Sequence, residues 1–152
     1  MKLAEALILR ADCQNKIAQL RQRLSRSVRV QEGEQPPENP QGLLSELEGA
    51  ISELTSLIQR INKTNSNTAL NEGTLSDALA RRDTLGLKRS AIDGVIQNAA
   101  IVPNRYSQSE VKFVSTVDIA ALQRQLDGTS QEHRLLDAQI QALNWEVELS
   151  SA

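Results

Sequence analysis

Four segments of this chain repeat apolar residues at alternating intervals of three and four, and that period restricts the fold more than any other feature. It is the spacing of helices that pack on helices. The first segment runs from about Lys2 to Arg26 and places Leu3, Ala6, Arg10, Cys13, Ile17, Leu20 and Leu24 on one seam. The second, from Pro40 to Thr68, places Leu44, Leu47, Ile51, Leu54, Ile58, Ile61, Asn65 and Thr68 in heptad register. The third, from Thr74 to Ile101, carries Leu75, Ala78, Arg82, Leu85, Arg89, Ile92, Ile96 and Ala99, with Leu79 widening the apolar face. The fourth, from Thr116 to Leu149, carries Ile119, Leu122, Leu126, Thr129, His133, Leu136, Ile140, Leu143 and Val147.

Boundary chemistry agrees with the periods. Asn39 before Pro40 is an N-cap followed by a proline at the first helical position, and Thr74 with Asp77 puts a capping residue and a first-turn acid at the start of the third segment. Val28 to Asn39 holds Gly33, Pro36 and Pro37, which cannot continue a helix. Asn65 to Gly73 has the composition of a tight antiparallel connection. Pro103 to Ser115 is longer and contains Val111, Phe113 and Val114 in a strand-like pattern.

Helices of roughly 25 residues span about 37 Å, and short connections favour antiparallel neighbours. The expected fold is therefore all-α: a single-domain antiparallel four-helix bundle over residues 1–152. Connectivity puts both long loops at one end, where Val28 to Val30 are expected to pair with Val111 to Val114 as a small two-stranded β ribbon. The two termini and the Asn-rich turn share the other end.

Charge and composition then remove classes of function. Seventeen Lys and Arg against nineteen Asp and Glu give a net charge of −2, so no global positive field exists to hold nucleic acid. Aromatics make up 2% of the chain, too few for a stacking platform. One cysteine, Cys13, supports neither a disulfide nor a two-thiolate zinc site. The first turns lack a secretory apolar core, and no run approaches the ~18 apolar residues of a spanning helix, so a cytoplasmic location without a membrane-spanning segment is expected. Residues 1–30 hold seven basic and two acidic residues, whereas residues 31–60 hold six acids and one arginine. This contrast helps the first two helices to pair, although exposed ion pairs contribute only about 0–1 kcal/mol each.

Three polar groupings stand out. Arg10, Arg82, Arg89, His133 and Asp137 occupy or adjoin seam positions, with His133 expected level with Arg89 and Asp137 nearer Arg10 and Arg82. A hydrogen-bonded core layer that fixes register is the first reading of these residues. A lone histidine among arginines makes a poor metal site, because the cations repel the ion and carboxylates do not recur at ligand spacing. The second grouping is Asn62 and Asn65 with Asn144 and Trp145, a candidate polar end pocket. There threonines and asparagines also serve to satisfy terminal carbonyls, and Trp145 is expected as a lid on the core. The third is the loop bearing Arg105, Tyr106, Ser109, Glu110 and Lys112, a candidate interaction loop. No catalytic residue, metal site or cofactor-binding pattern emerges. The four paired carboxylates that a magnesium-dependent helical pyrophosphatase needs are not supplied by Glu46, Glu48 and Glu53.

Taken together, Lys2-Leu-Ala-Glu-Ala-Leu with Arg10-Ala-Asp12, Val30-Gln-Glu-Gly33, Ile61-Asn-Lys-Thr-Asn65, Leu75 to Asp83, Tyr106 to Lys112, Thr116-Val-Asp118 and Asn144-Trp145 resemble a family of bacterial helical proteins often labelled septicolysin. The resemblance implies an all-helical intracellular protein that self-associates, with no established activity. The expected function is that of a non-enzymatic oligomeric interaction or scaffold protein, a homo-oligomer open to a further protein partner. Two alternatives stand beside it. One is the membrane-active cytolysin that the label implies, although pore formation by β-barrels requires amphipathic hairpins that this chain lacks. The other is a small hydrolase or ligand-binding protein that uses a polar bundle core.

Overall fold

A computed structural model describes residues 1–100 and 111–151. Its elements are α1 (Leu3–Ser27), α2 (Pro40–Asn67), β1 (Ala69–Leu70), β2 (Gly73–Thr74), α3 (Leu75–Ala99) and α4 (Ile119–Glu146). The all-α class, the four long helices and one small ribbon are all present. The ribbon's place is not the expected one. Val28 to Val30 and Val111 to Val114 form no strand; instead β1 and β2 pair antiparallel, with Ala69 opposite Thr74 and Leu70 opposite Gly73. The short loop wins because its strands need only a two-residue turn, and Asn71 takes the left-handed φ of 53° that asparagine tolerates better than most residues. Pairing the two long loops would instead require bringing distant segments together at greater entropic cost.

The chain forms two compact units, Met1–Ser76 with Gln141–Ala152, and Asp77–Ile140. In the first unit α1 and α2 lie antiparallel. Leu20, Leu24, Leu43 and Ala50 form a buried cluster, with Ile17 and Leu47 packed against it. Asn39 caps α2, its Oδ1 accepting from Gln41 N–H at 3.0 Å, with Pro40 in the first turn. The terminal segments meet in the same unit: Leu3 N–H donates to Val147 O at 2.9 Å and Leu149 N–H to Met1 O at 2.8 Å. Leu3, Ala4, Ala6, Ile61, Leu75 and Leu149 are buried in this unit. In the second unit α3 and α4 run antiparallel, with Arg82 beside Asp137 and Gly86 beside His133. Asp118 caps α4 by accepting from Ala121 N–H at 3.0 Å.

The seams read from the sequence hold on three helices. On α1, α3 and α4 every seam residue is buried or half-buried except Arg89. On α2 the buried positions are Leu43, Ala50, Leu57, Ile61 and Thr64, while Leu44, Ile51 and Ile58 are exposed. The physical reason is that three adjacent pairs, Leu43/Leu44, Ala50/Ile51 and Leu57/Ile58, are apolar at both positions. Spacing alone does not choose between neighbours that sit 100° apart on a helix.

Candidate functional site

The polar end of α2 does a defined job. Thr64 and Thr68 turn their hydroxyls back onto the helix, donating to Arg60 O at 2.8 Å and Thr64 O at 2.7 Å. Thr64 Oγ1 also accepts from Ser150 N–H at 2.9 Å. Arg60 Nε donates to Ser150 O at 2.9 Å and Lys63 Nζ to Ser151 O at 3.5 Å. Residues 60–64 therefore form a seat for the extended segment after α4. Of the residues proposed for an end pocket, Asn62 is exposed and Asn65 half-buried, Asn144 is only 6% exposed, and Trp145 leaves 56% of its surface in solvent rather than closing the core. Arg60, Lys63 and Thr64 are the working residues here. The sequence marked the threonines as carbonyl partners but gave no sign that their acceptor capacity, and two neighbouring cations, would take up a main-chain segment.

The second grouping is divided. Arg10 is half-buried on α1 in the first unit. Arg82 and Asp137 meet in the second, with Nη1 donating to Oδ1 at 2.9 Å, and Arg82 also lies 3.8 Å from Asp83. Both members of the Arg82–Asp137 pair keep substantial side-chain exposure, so this is a water-screened pair and not a buried layer. His133 is half-buried and level with Gly86, not with Arg89, where an added Cβ would meet its Nε2 at 3.8 Å. Arg89 is exposed and lines a groove between α3 and α4 with Ser90, Asp93, Leu126, Asp127 and Ser130. Arg81 and Glu132 form a further ion pair across the two helices. Of the loop candidates, Arg105, Tyr106, Ser109 and Glu110 lie outside the described residues, and Lys112 is exposed.

Burial and charged neighbours shift several side chains. Burial and the neighbouring Glu53 carboxylate push the Cys13 thiol up, which disfavours the reactive thiolate. Glu38 is held below the usual glutamate range chiefly by its hydrogen bonds from Arg23, Nε to Oε2 being 2.9 Å. Glu148 is lowered by Lys2 and by the Met1 ammonium, at 2.7 and 3.0 Å. A depressed carboxylate pKa contributes stability that is complete above the unfolded value and is lost as pH falls through the folded value. The expected result is a melting temperature that drops as pH falls below the ordinary glutamate range, about 4.3, and a shallower drop in Glu38→Gln and Glu148→Gln. Thermal melts read by circular dichroism between pH 7 and pH 3 check this.

Among the described residues, no group of three His, Cys, Asp or Glu side chains is placed to hold a metal ion. No described helix is long and apolar enough to cross a membrane. What the first unit does present is apolar surface: Ile8 and Leu9 on α1 and Leu44, Ile51 and Ile58 on α2 stand in solvent.

Paired long helices, a minimal ribbon and exposed apolar helix faces define an all-α protein assembled from helical hairpins. The chain belongs to the family of unknown function DUF6847, whose model matches residues 10–149. It is also similar to a functionally unknown conserved protein from Corynebacterium diphtheriae known from a crystal structure, with 42% identity, 99% of each chain covered and a TM-score of 0.93. Neither match carries the septicolysin label. No curated protein matches the chain.

Proposed function

We propose that this protein is a non-catalytic helical interaction module that works as a homo-oligomer. The observation that carries this reading is the apolar surface of the first unit, where Leu44, Ile51 and Ile58 are 45%, 42% and 36% exposed along one side of α2. Isolated exposed apolar residues are ordinary, but a row of them along one helix favours association. The polar groups near the helix interfaces support the same reading. Arg82 and Asp137 neutralise each other, and Thr64 uses its hydroxyl both as donor and as acceptor within the chain, so both serve the fold.

Light scattering coupled to size-exclusion chromatography tests the proposal. The protomer mass is 16.7 kDa, and the expected result at micromolar concentration is an integral multiple of it. A strict monomer at all accessible concentrations would remove the oligomer.

A further inference from the structure

The exposed row on α2 has a charge arrangement of its own. Ile51 defines its centre, and Leu44 and Ile58 flank it one heptad away on either side. Leu47 and Leu54, half-buried, border it toward α1. On the opposite border stand Glu48, Ser52, Thr55 and Gln59, all exposed, so Glu48 is the single charge there. Depletion of charge beside an apolar strip is the composition of an interface centre. The charges of α2 are also separated along its length. Glu46, Glu48 and Glu53 lie in the first half, and Arg60 and Lys63 lie in the second. Among the described residues, none of these five takes part in a salt bridge. Arg60 and Lys63 bond neutral carbonyl oxygens of residues 150 and 151, and among the described residues neither is paired with a carboxylate.

Resting on the oligomeric reading above, we infer that this face of α2 binds the same face of a second copy of the chain, antiparallel, about a two-fold axis between Leu54 and Thr55. In that register Ile51 meets the second copy's Ile58, Leu54 meets its own equivalent, and Glu48 comes within about two residues, or 3 Å of rise, of the second copy's Lys63. The Ile51–Ile58 and Glu48–Lys63 contacts each occur twice and the Leu54 self-contact once on the axis, as an isologous interface requires. A parallel copy would instead hold Glu48 level with Glu48 and Lys63 level with Lys63, so that neither has an opposite charge at its own height. The antiparallel arrangement therefore satisfies the apolar row and the Glu48–Lys63 pair together, and it also opposes the two helix dipoles.

Cysteine trapping reads the register directly. In a Cys13→Ala background, Thr55→Cys sits beside the axis and is expected to form a disulfide with its own equivalent under mild oxidation. Ser45→Cys, equally exposed, lies about 28 Å from its equivalent along the pair at 1.5 Å per residue and should stay reduced. Ile58→Glu is expected to raise the dimer dissociation constant at least about tenfold. Glu48→Lys should raise it about two- to fivefold, and Glu48→Lys combined with Lys63→Glu should restore it. Circular dichroism of each variant separates lost association from lost folding; positions 45, 48, 55 and 58 are exposed, so folding is expected to survive there, and Lys63→Glu, which gives up the bond to Ser151 O, is also measured alone as a control. A dimer that persists in Ile58→Glu, or that links through position 45 as readily as through position 55, would overturn this face and leave self-association standing. A monomer at every concentration would overturn both.

Discussion

Ile61→Ala is expected to lower the free energy of unfolding by about 2–5 kcal/mol, the cost of deleting most of a fully enclosed aliphatic side chain and leaving a cavity. Ile61 is 1% exposed and lies on α2 within the stretch that also seats residues 150 and 151, so its surroundings are tied down by hydrogen bonds and have little freedom to collapse onto the hole. Ile58, one turn earlier on the same helix, provides the internal control. It is 36% exposed, and Ile58→Ala is expected to cost under about 1 kcal/mol in the monomer. Urea unfolding of both variants, carried out at protein concentrations low enough that each is monomeric and loss of the α2 contact does not enter, checks the contrast. Equal effects at the two positions would mean that the rotation of α2 described above is wrong.

Thr64→Val is expected to cost about 1–3 kcal/mol although it preserves shape and volume closely. The threonine is 2% exposed, and its hydroxyl holds two partners at once, donating to Arg60 O and accepting from Ser150 N–H. Valine keeps the packing and removes both bonds, leaving the Ser150 amide without its acceptor beside an apolar methyl. Thr64→Ser retains the hydroxyl and should recover most of the loss. Hydrogen exchange adds a local readout: the Ser150 amide is expected to lose protection in Thr64→Val and keep it in Thr64→Ser. Unchanged exchange in the valine variant would show that the hydroxyl does not fasten this segment.

How much of this was legible in the sequence varied with the physics involved. Helix positions were readable because period, Pro40, Asn39 and the Asn-rich turn are local signals that agree with one another, and α2 begins at Pro40 as expected. The seams of α1, α3 and α4 were readable because the 3-4 spacing runs through most of each helix, and adjacent apolar residues such as Val95 and Leu135 lie off that spacing and are exposed. On α2 the neighbouring pairs at 43/44, 50/51 and 57/58 offered two nearly equal faces, and only the packing partner decides between them. The ribbon was misplaced for a related reason: β-branched residues in the long loops gave a strand-like pattern, yet pairing depends on closure, and the short turn closes first. The polar candidates failed to gather because seam position fixes the side of a helix and not which neighbouring helix it meets. Arg82 and Asp137 met across α3 and α4, Arg10 stayed with α1, and His133 found Gly86 where Arg89 was expected. The seat for residues 150 and 151 left no mark, since its recipients are main-chain atoms.

That last property bears on how the chain tolerates change. The segment after α4 is grasped by its peptide groups: Thr64 takes an amide hydrogen, Arg60 and Lys63 give hydrogens to two carbonyls. Such a grip is blind to the side chains it holds. An ordinary substitution at 150 or 151 leaves these bonds in place, whereas a proline at 150 abolishes the one hydrogen that Thr64 receives, so the grip makes its demand on the peptide groups and hardly any on the side chains they carry.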